Sequence, residues 1–152
     1  HQQDPCGLMV FDEKVITSLP ARSRRSQIPQ VLSVLSKIKP SGKTDVAHAL
    51  VQVAAMLRHR SLVMIFSDLL ADPGPIREAL MRLRHGGHDV ILFHILDEAE
   101  VRFPFEGMVE LDDPETASKL VIDADAARTG YVQAVEAFRE EYRAWCFRAG
   151  VD

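Results

Sequence analysis

An α/β fold is predicted by three features of the chain. Leu62 to Phe66 is apolar at every position, as a strand covered on both faces requires. Val90 to Leu96 is a second such run, broken only by His94. Between them lies a helical pattern of Ile76, Ala79, Leu80 and Leu83, and a strand, helix, strand unit of this length crosses over right-handedly, so the two strands are parallel.

The elements follow in order. Leu8 to Phe11 and Val15 to Leu19, separated by Asp12-Glu13 and closed by Pro20, predict a two-strand unit. From Ser26, a candidate N-cap, Ile28, Val31, Leu32, Leu35 and Ile38 recur at helical spacing until Lys39-Pro40-Ser41-Gly42 ends the pattern. A second helix starts at Thr44 or Asp45, with Val46, Leu50, Val53, Ala54 and Leu57 on one face and Arg58, His59 and Arg60 at its negative end. Pro75 pre-sets the third helix and Gly86-Gly87 closes it. Met108 to Leu111 and Leu120 to Ile122 flank a turn-rich stretch and predict an edge hairpin. From Asp125, Tyr131, Val135, Phe138, Tyr142 and Trp145 step by four and three, so a long helix packed by aromatics is expected up to Gly150.

At 152 residues, 47% of them hydrophobic and 26% charged, the chain is expected to form one domain around a real core. Neither a membrane-spanning run nor a signal-peptide stretch is present, and a reducing cytoplasm is the expected location. Cys6 and Cys146 lack C-x-x-C spacing, which removes the basis for a zinc ribbon, a redox motif or a disulfide framework. Residues 1 to 76 carry nine Lys or Arg against six Asp or Glu, and the remainder nine against sixteen. The acidic excess between Asp97 and Asp125 argues against nucleic acid on that side, while Arg22, Arg24 and Arg25 form a short basic patch that reads as ordinary surface.

In open α/β sheets ligands bind beyond the carboxyl ends of the strands. Asp68 sits at such an end, and a carboxylate leaving a buried run is costly unless a cation, a donor or water compensates it. Asp72 stands closer to the next helix and can cap it, which leaves Asp68 for another role. The polar loop Lys39 to Asp45 supplies hydroxyls at Ser41 and Thr44. With Asp68 they would form an all-oxygen set suited to Mg²⁺ or Mn²⁺, too few ligands alone unless waters complete the octahedron. Lys43-Thr44 lacks P-loop spacing. None of the six histidines falls in H-E-x-x-H, no G-x-S-x-G exists, and neither cysteine carries the signature of an activated thiolate. His94 reads as a hydrogen-bonded core histidine.

Several stretches together resemble a von Willebrand factor type A domain, and more closely the bacterial family called domain of unknown function 58. They are Gly7 to Asp12, Pro40 to Asp45, Ile65 to Leu70, His88-Asp89-Val90 with Leu96-Asp97, and Phe103-Pro104-Phe105-Glu106-Gly107. The resemblance implies a Rossmann-like, mostly parallel sheet flanked by helices. It also implies a metal-ion-dependent adhesion site that captures a partner's carboxylate through a divalent cation, in which Thr44 matches the loop threonine and Asp68 the second aspartate. The Asp-x-Ser-x-Ser motif that such a site takes after the first strand does not occur here. The expectation is therefore an N-terminally truncated domain whose first central strand lies outside the chain or comes from an exchanged copy in a homodimer, with Mg or Mn incompletely held or absent. The implied function is a non-enzymatic protein-interaction module working with a MoxR-type AAA ATPase in complex assembly or metal insertion. A metal-assisted phosphoesterase or nucleotide-binding hydrolase using Asp68 is the alternative, and it needs a nearby base or nucleophile that the sequence does not offer.

Overall fold

The computed structural model describes residues 4–39, 44–112 and 118–152. In chain order its elements are β1 (Cys6–Phe11), β2 (Val15–Arg22), α1 (Gln27–Leu35), α2 (Val46–Met56), β3 (Leu62–Ser67), α3 (Pro73–His85), β4 (Asp89–His94), α4 (Glu98–Arg102), β5 (Met108–Asp112), β6 (Lys119–Asp123) and α5 (Ala124–Ala149). The chain divides into two compact units, His1–His59 with Ala71–Arg82 and Arg60–Leu70 with Leu83–Asp152, one of the three boundaries falling within α3.

In the first unit β1 and β2 pair antiparallel with irregularities at Cys6/Leu8 and Val10/Phe11. Gly7 lies at the first of these, where a Cβ would come within 2.9 Å of the Leu19 carbonyl oxygen, so the close strand approach requires glycine. β2 runs through Pro20 to Arg22 instead of ending at the proline, because the irregular register there asks for no amide donor. α1 and α2 pack on β1. The Ser26 side chain makes no capping bond. Gln27 fastens α1 instead: it is buried, and its amide nitrogen donates to the carbonyls of Cys6 (2.7 Å) and Pro20 (3.0 Å). α2 starts as the sequence indicates, with Asp45 accepting from the His48 amide, and buries Val46, Ala49, Leu50 and Val53 on one face. It stops at Met56, so Arg58, His59 and Arg60 lie beyond its end and Arg60 pairs with Asp89 at 3.1 Å.

The second unit is organised on β3 and β4, which run parallel from Leu62 opposite Asp89 to Ser67 opposite His94. The outer side of β4 bonds to the chain end: Asp152 donates to the Val90 carbonyl, and its own carbonyl accepts from Leu92. β5 and β6 form the expected antiparallel pair, and Asp123 then caps α5 by accepting from Asp125 and Ala126. α5 ends at Gly150 in the left-handed conformation, φ 65°.

Two expectations need correction, and a third is met only in its coarser form. β3 is not covered on both faces among the described residues: Ile65 is buried, but Leu62, Met64 and Phe66 are 59, 50 and 59% exposed, with Phe66 stacked on Phe93 at 4.6 Å. The described strands form three two-stranded sheets, of which only β3 with β4 is parallel, so the architecture shown is mixed α/β without a single mostly parallel sheet. On α5 only Tyr142 of the aromatic stripe is fully buried, and the others are half-covered. α4 was not foreseen, although Asp97-Glu98-Ala99-Glu100 spells its capping box, which the structure forms.

α4 ends at Phe103, buried and left-handed (φ 47°), whose ring meets Tyr131 at 4.6 Å and Phe105 at 5.2 Å. Arg128 holds the turn by donating to the carbonyls of Phe103 and Phe105. Burial pushes the Tyr131 phenol above its ordinary value of 10.0, and the nearby Glu100 carboxylate adds to the rise. The folded state therefore holds the phenolic proton more tightly than the unfolded one, and this stabilisation, complete below pH 10, fades as pH climbs through the raised value. Denaturant melts between about pH 9 and pH 11 should show a loss that Tyr131→Phe makes shallower. Parallel curves for the two proteins would remove Tyr131 as its source.

Candidate functional site

The turn after β3 is rigidly specified by its own residues. Ser67 Oγ accepts from the Leu69 amide (3.1 Å), Asp68 Oδ1 accepts from the Leu70 amide (3.2 Å), and His94 Nε2 donates to the Asp68 carbonyl at 3.0 Å. Leu69 is fully buried with φ 58°, a conformation that costs a non-glycine residue about 1–2 kcal/mol and persists only where surrounding packing imposes it. His94 is half-buried against Phe138 and Tyr142, so α5 braces the ring that braces the turn. The result points one carboxylate outward from the carboxyl end of a strand, with Oδ2 accepting from no described residue. Asp68 is exposed, so water solvates it and the burial penalty expected from its place beside an apolar run does not arise.

Thr44 belongs to the first unit and lies on the wall of an open cleft of about 580 Å³, with Glu13, Asp45, His48 and Asp72 around it and Ile76 contributing apolar surface. Asp45 and Asp72 each use one oxygen to cap a helix, accepting at 2.9 Å from the amides of His48 and Gly74. Asp72 thus does the capping that the sequence assigns to it. Gln52 accepts from the Val15 amide through Oε1, so its amide nitrogen faces His48 Nε2 at 2.7 Å and that ring nitrogen is the acceptor. The cleft is lined by oxygen donors of negative charge and suits a cation or a basic group better than an anion.

Ser41 lies outside the described residues. Thr44 and Asp68 belong to different units. Among the described residues no group of three His, Cys, Asp or Glu is placed to hold a metal ion. Glu13 and His48 escaped sequence reasoning because a turn residue and a helix residue carry no local sign of sharing a cleft with Asp72. The Asp45 and Asp72 caps were readable.

The chain is thus a mixed α/β protein, one unit presenting an exposed strand-end carboxylate and the other an acid-lined cleft. The family model described as protein of unknown function DUF58 matches residues 1–141, and the chain belongs to that family. It is similar to an uncharacterized protein of Mycobacterium bovis and to two of Mycobacterium tuberculosis strains, each 28% identical over 140 residues that cover 89% of this chain. The chain spans less than half the length of those relatives, 43% in each case. No solved structure matches it. No helix among the described residues is long and apolar enough to cross a membrane.

Proposed function

We propose that this chain is a von Willebrand factor type A-like interaction module, non-enzymatic and cytoplasmic, that captures an acidic group of a partner protein through a divalent cation. The sheet of this reading is Rossmann-like, with a further parallel strand pairing along the free side of β3. Asp68 is the principal protein ligand, with Thr44 and Ser41 as the hydroxyl donors that the family resemblance assigns. Carboxylate and hydroxyl oxygens suit Mg²⁺ or Mn²⁺, and so short a protein ligand set leaves coordination positions for water and for the partner's carboxylate. A MoxR-type AAA ATPase is the partner in this reading, in complex assembly or metal insertion.

One observation carries the proposal: the β3 turn fixes its backbone by three hydrogen bonds and a strained, buried Leu69, yet leaves Asp68 exposed. Strain held at a strand end is spent where a side chain must be presented in one direction. Titration calorimetry with MgCl₂ and MnCl₂ tests it. Wild type should release or absorb heat, Asp68→Ala should not, and Thr44→Ala should weaken binding by about tenfold or more. The double variant should bind no worse than Asp68→Ala alone, since both residues serve one ion. Equal heats from wild type and Asp68→Ala reject the cation role.

A further inference from the structure

We infer that α1 is a docking face for an anionic lipid surface, an inference that uses neither Thr44 nor Asp68 and stands apart from the cation reading. Gln27, Val31 and Val34 turn one face of α1 inward, where Gln27 bonds to β1 and β2. No described residue covers the neighbouring stripe: Ile28, Leu32, Leu35 and, in the turn beyond, Ile38 are 53, 60, 46 and 36% exposed. Spaced by four, three and three, they form one continuous apolar ridge. Only Gln30 and Ser33 make a polar side on this helix, and a helix apolar on nearly every side is one that something covers.

Charge selects the occupant. From Lys14 to Thr44 the sequence holds seven Lys or Arg and no Asp or Glu. Arg22, Arg24 and Arg25 approach α1 at its start, and Lys37 and Lys39 follow its end, so cations bracket the ridge. All five are exposed, and none forms an ion pair among the described residues. The chain as a whole is acidic, net charge -4, so this concentration is local and opposes the overall composition. An apolar ridge between cations is the pattern of a helix lying in a membrane interface: aliphatic groups enter the acyl boundary while Lys and Arg meet lipid phosphates. Nucleic acid would use the cations and leave the ridge wet. Another exposed apolar surface, Leu62, Met64 and Phe66 of β3, lies in a stretch from Ser61 to Ser67 that holds no Lys or Arg to choose such a partner.

The test is co-sedimentation of the full chain with vesicles of phosphatidylcholine, with and without phosphatidylglycerol. The chain should sediment with the anionic vesicles and stay in solution with the neutral ones. Raising the salt from about 0.1 M to about 1 M, which shortens the screening length from ~10 to ~3 Å, should release it. Arg24→Glu with Arg25→Glu, and separately Leu32→Asp, should each weaken partition by about tenfold or more, with circular dichroism unchanged because all three side chains are exposed. Equal partition onto neutral vesicles overturns the inference, as does no sedimentation at all. Binding that survives Leu32→Asp but follows salt would reduce α1 to phosphate contact and also overturn it. So would a self-association, seen by analytical ultracentrifugation, that these variants abolish while vesicle binding persists.

Discussion

Leu69→Ala is expected to lower the unfolding free energy by about 2–5 kcal/mol, and Leu69→Gly by no more than that. The ordinary order is the reverse, since glycine is both less apolar than alanine and more flexible in the unfolded chain by about 0.5–1 kcal/mol. Leu69 departs from it because its backbone is left-handed, φ 58°, a position where alanine keeps the Cβ clash and glycine has none. The side chain is fully buried, so the transfer and cavity terms are lost in both variants. Urea melts followed by circular dichroism measure the two values. A loss below about 1 kcal/mol in Leu69→Ala would mean that the turn carries little burial energy, and it would also undercut the rigid presentation of Asp68.

Gln27→Leu is expected to destabilise the chain by about 2–4 kcal/mol despite the apolar gain. The Gln27 amide nitrogen is shared between the carbonyls of Cys6 and Pro20, on β1 and β2, and a leucine leaves both part-buried acceptors without it. Gln27→Glu is the sharper variant. A carboxylate cannot donate to either carbonyl, whereas the protonated acid can donate to one. Burial beside two carbonyl oxygens therefore raises the folded pKa of the introduced acid above its unfolded value. Its residual stability is present at low pH and falls as pH rises through the folded value, so the gap to wild type should widen from about pH 4 towards neutrality. A gap independent of pH, or Gln27→Leu as stable as wild type, would show that other donors satisfy those carbonyls.

Helix positions and strand pairings with short loops were legible because each rests on neighbours in sequence. Asp45 and Asp72 announce helix starts by residue type, Gly86-Gly87 and Gly150 announce ends, and the apolar runs at Val63 and Leu92 require pairing across one intervening helix. Family membership was legible for a related reason: short stretches in a fixed order along the chain carry it, and the family model covers the same span. The α4 capping box is equally local, but the five residues of the helix carry too little periodicity to mark it out in the sequence.

The candidate site was legible only as isolated residues. Asp68 could be picked out as a carboxylate ending a strand, but its exposure is set by the turn that Ser67, Leu69 and His94 close around it, and His94 lies 26 positions away. The desolvation expected for Asp68 failed because residue type indicates a strand end without indicating how much water reaches it. Gln27 shows the same limit, since a polar residue in an exposed-looking segment proved to be the fastener of α1.

By itself, then, the sequence determined most helix positions, the strand pairs joined by short connections, the charge of each region and the family. Capping, periodicity and charge act over a few residues or none, so they are written in local order. Only the tertiary structure decided that Glu13, His48 and Asp72 line one cleft with Thr44, that β3 buries one face, and that the ridge of α1 is bare. Burial and proximity are sums over contacts between distant parts of the chain, and no local pattern contains that sum.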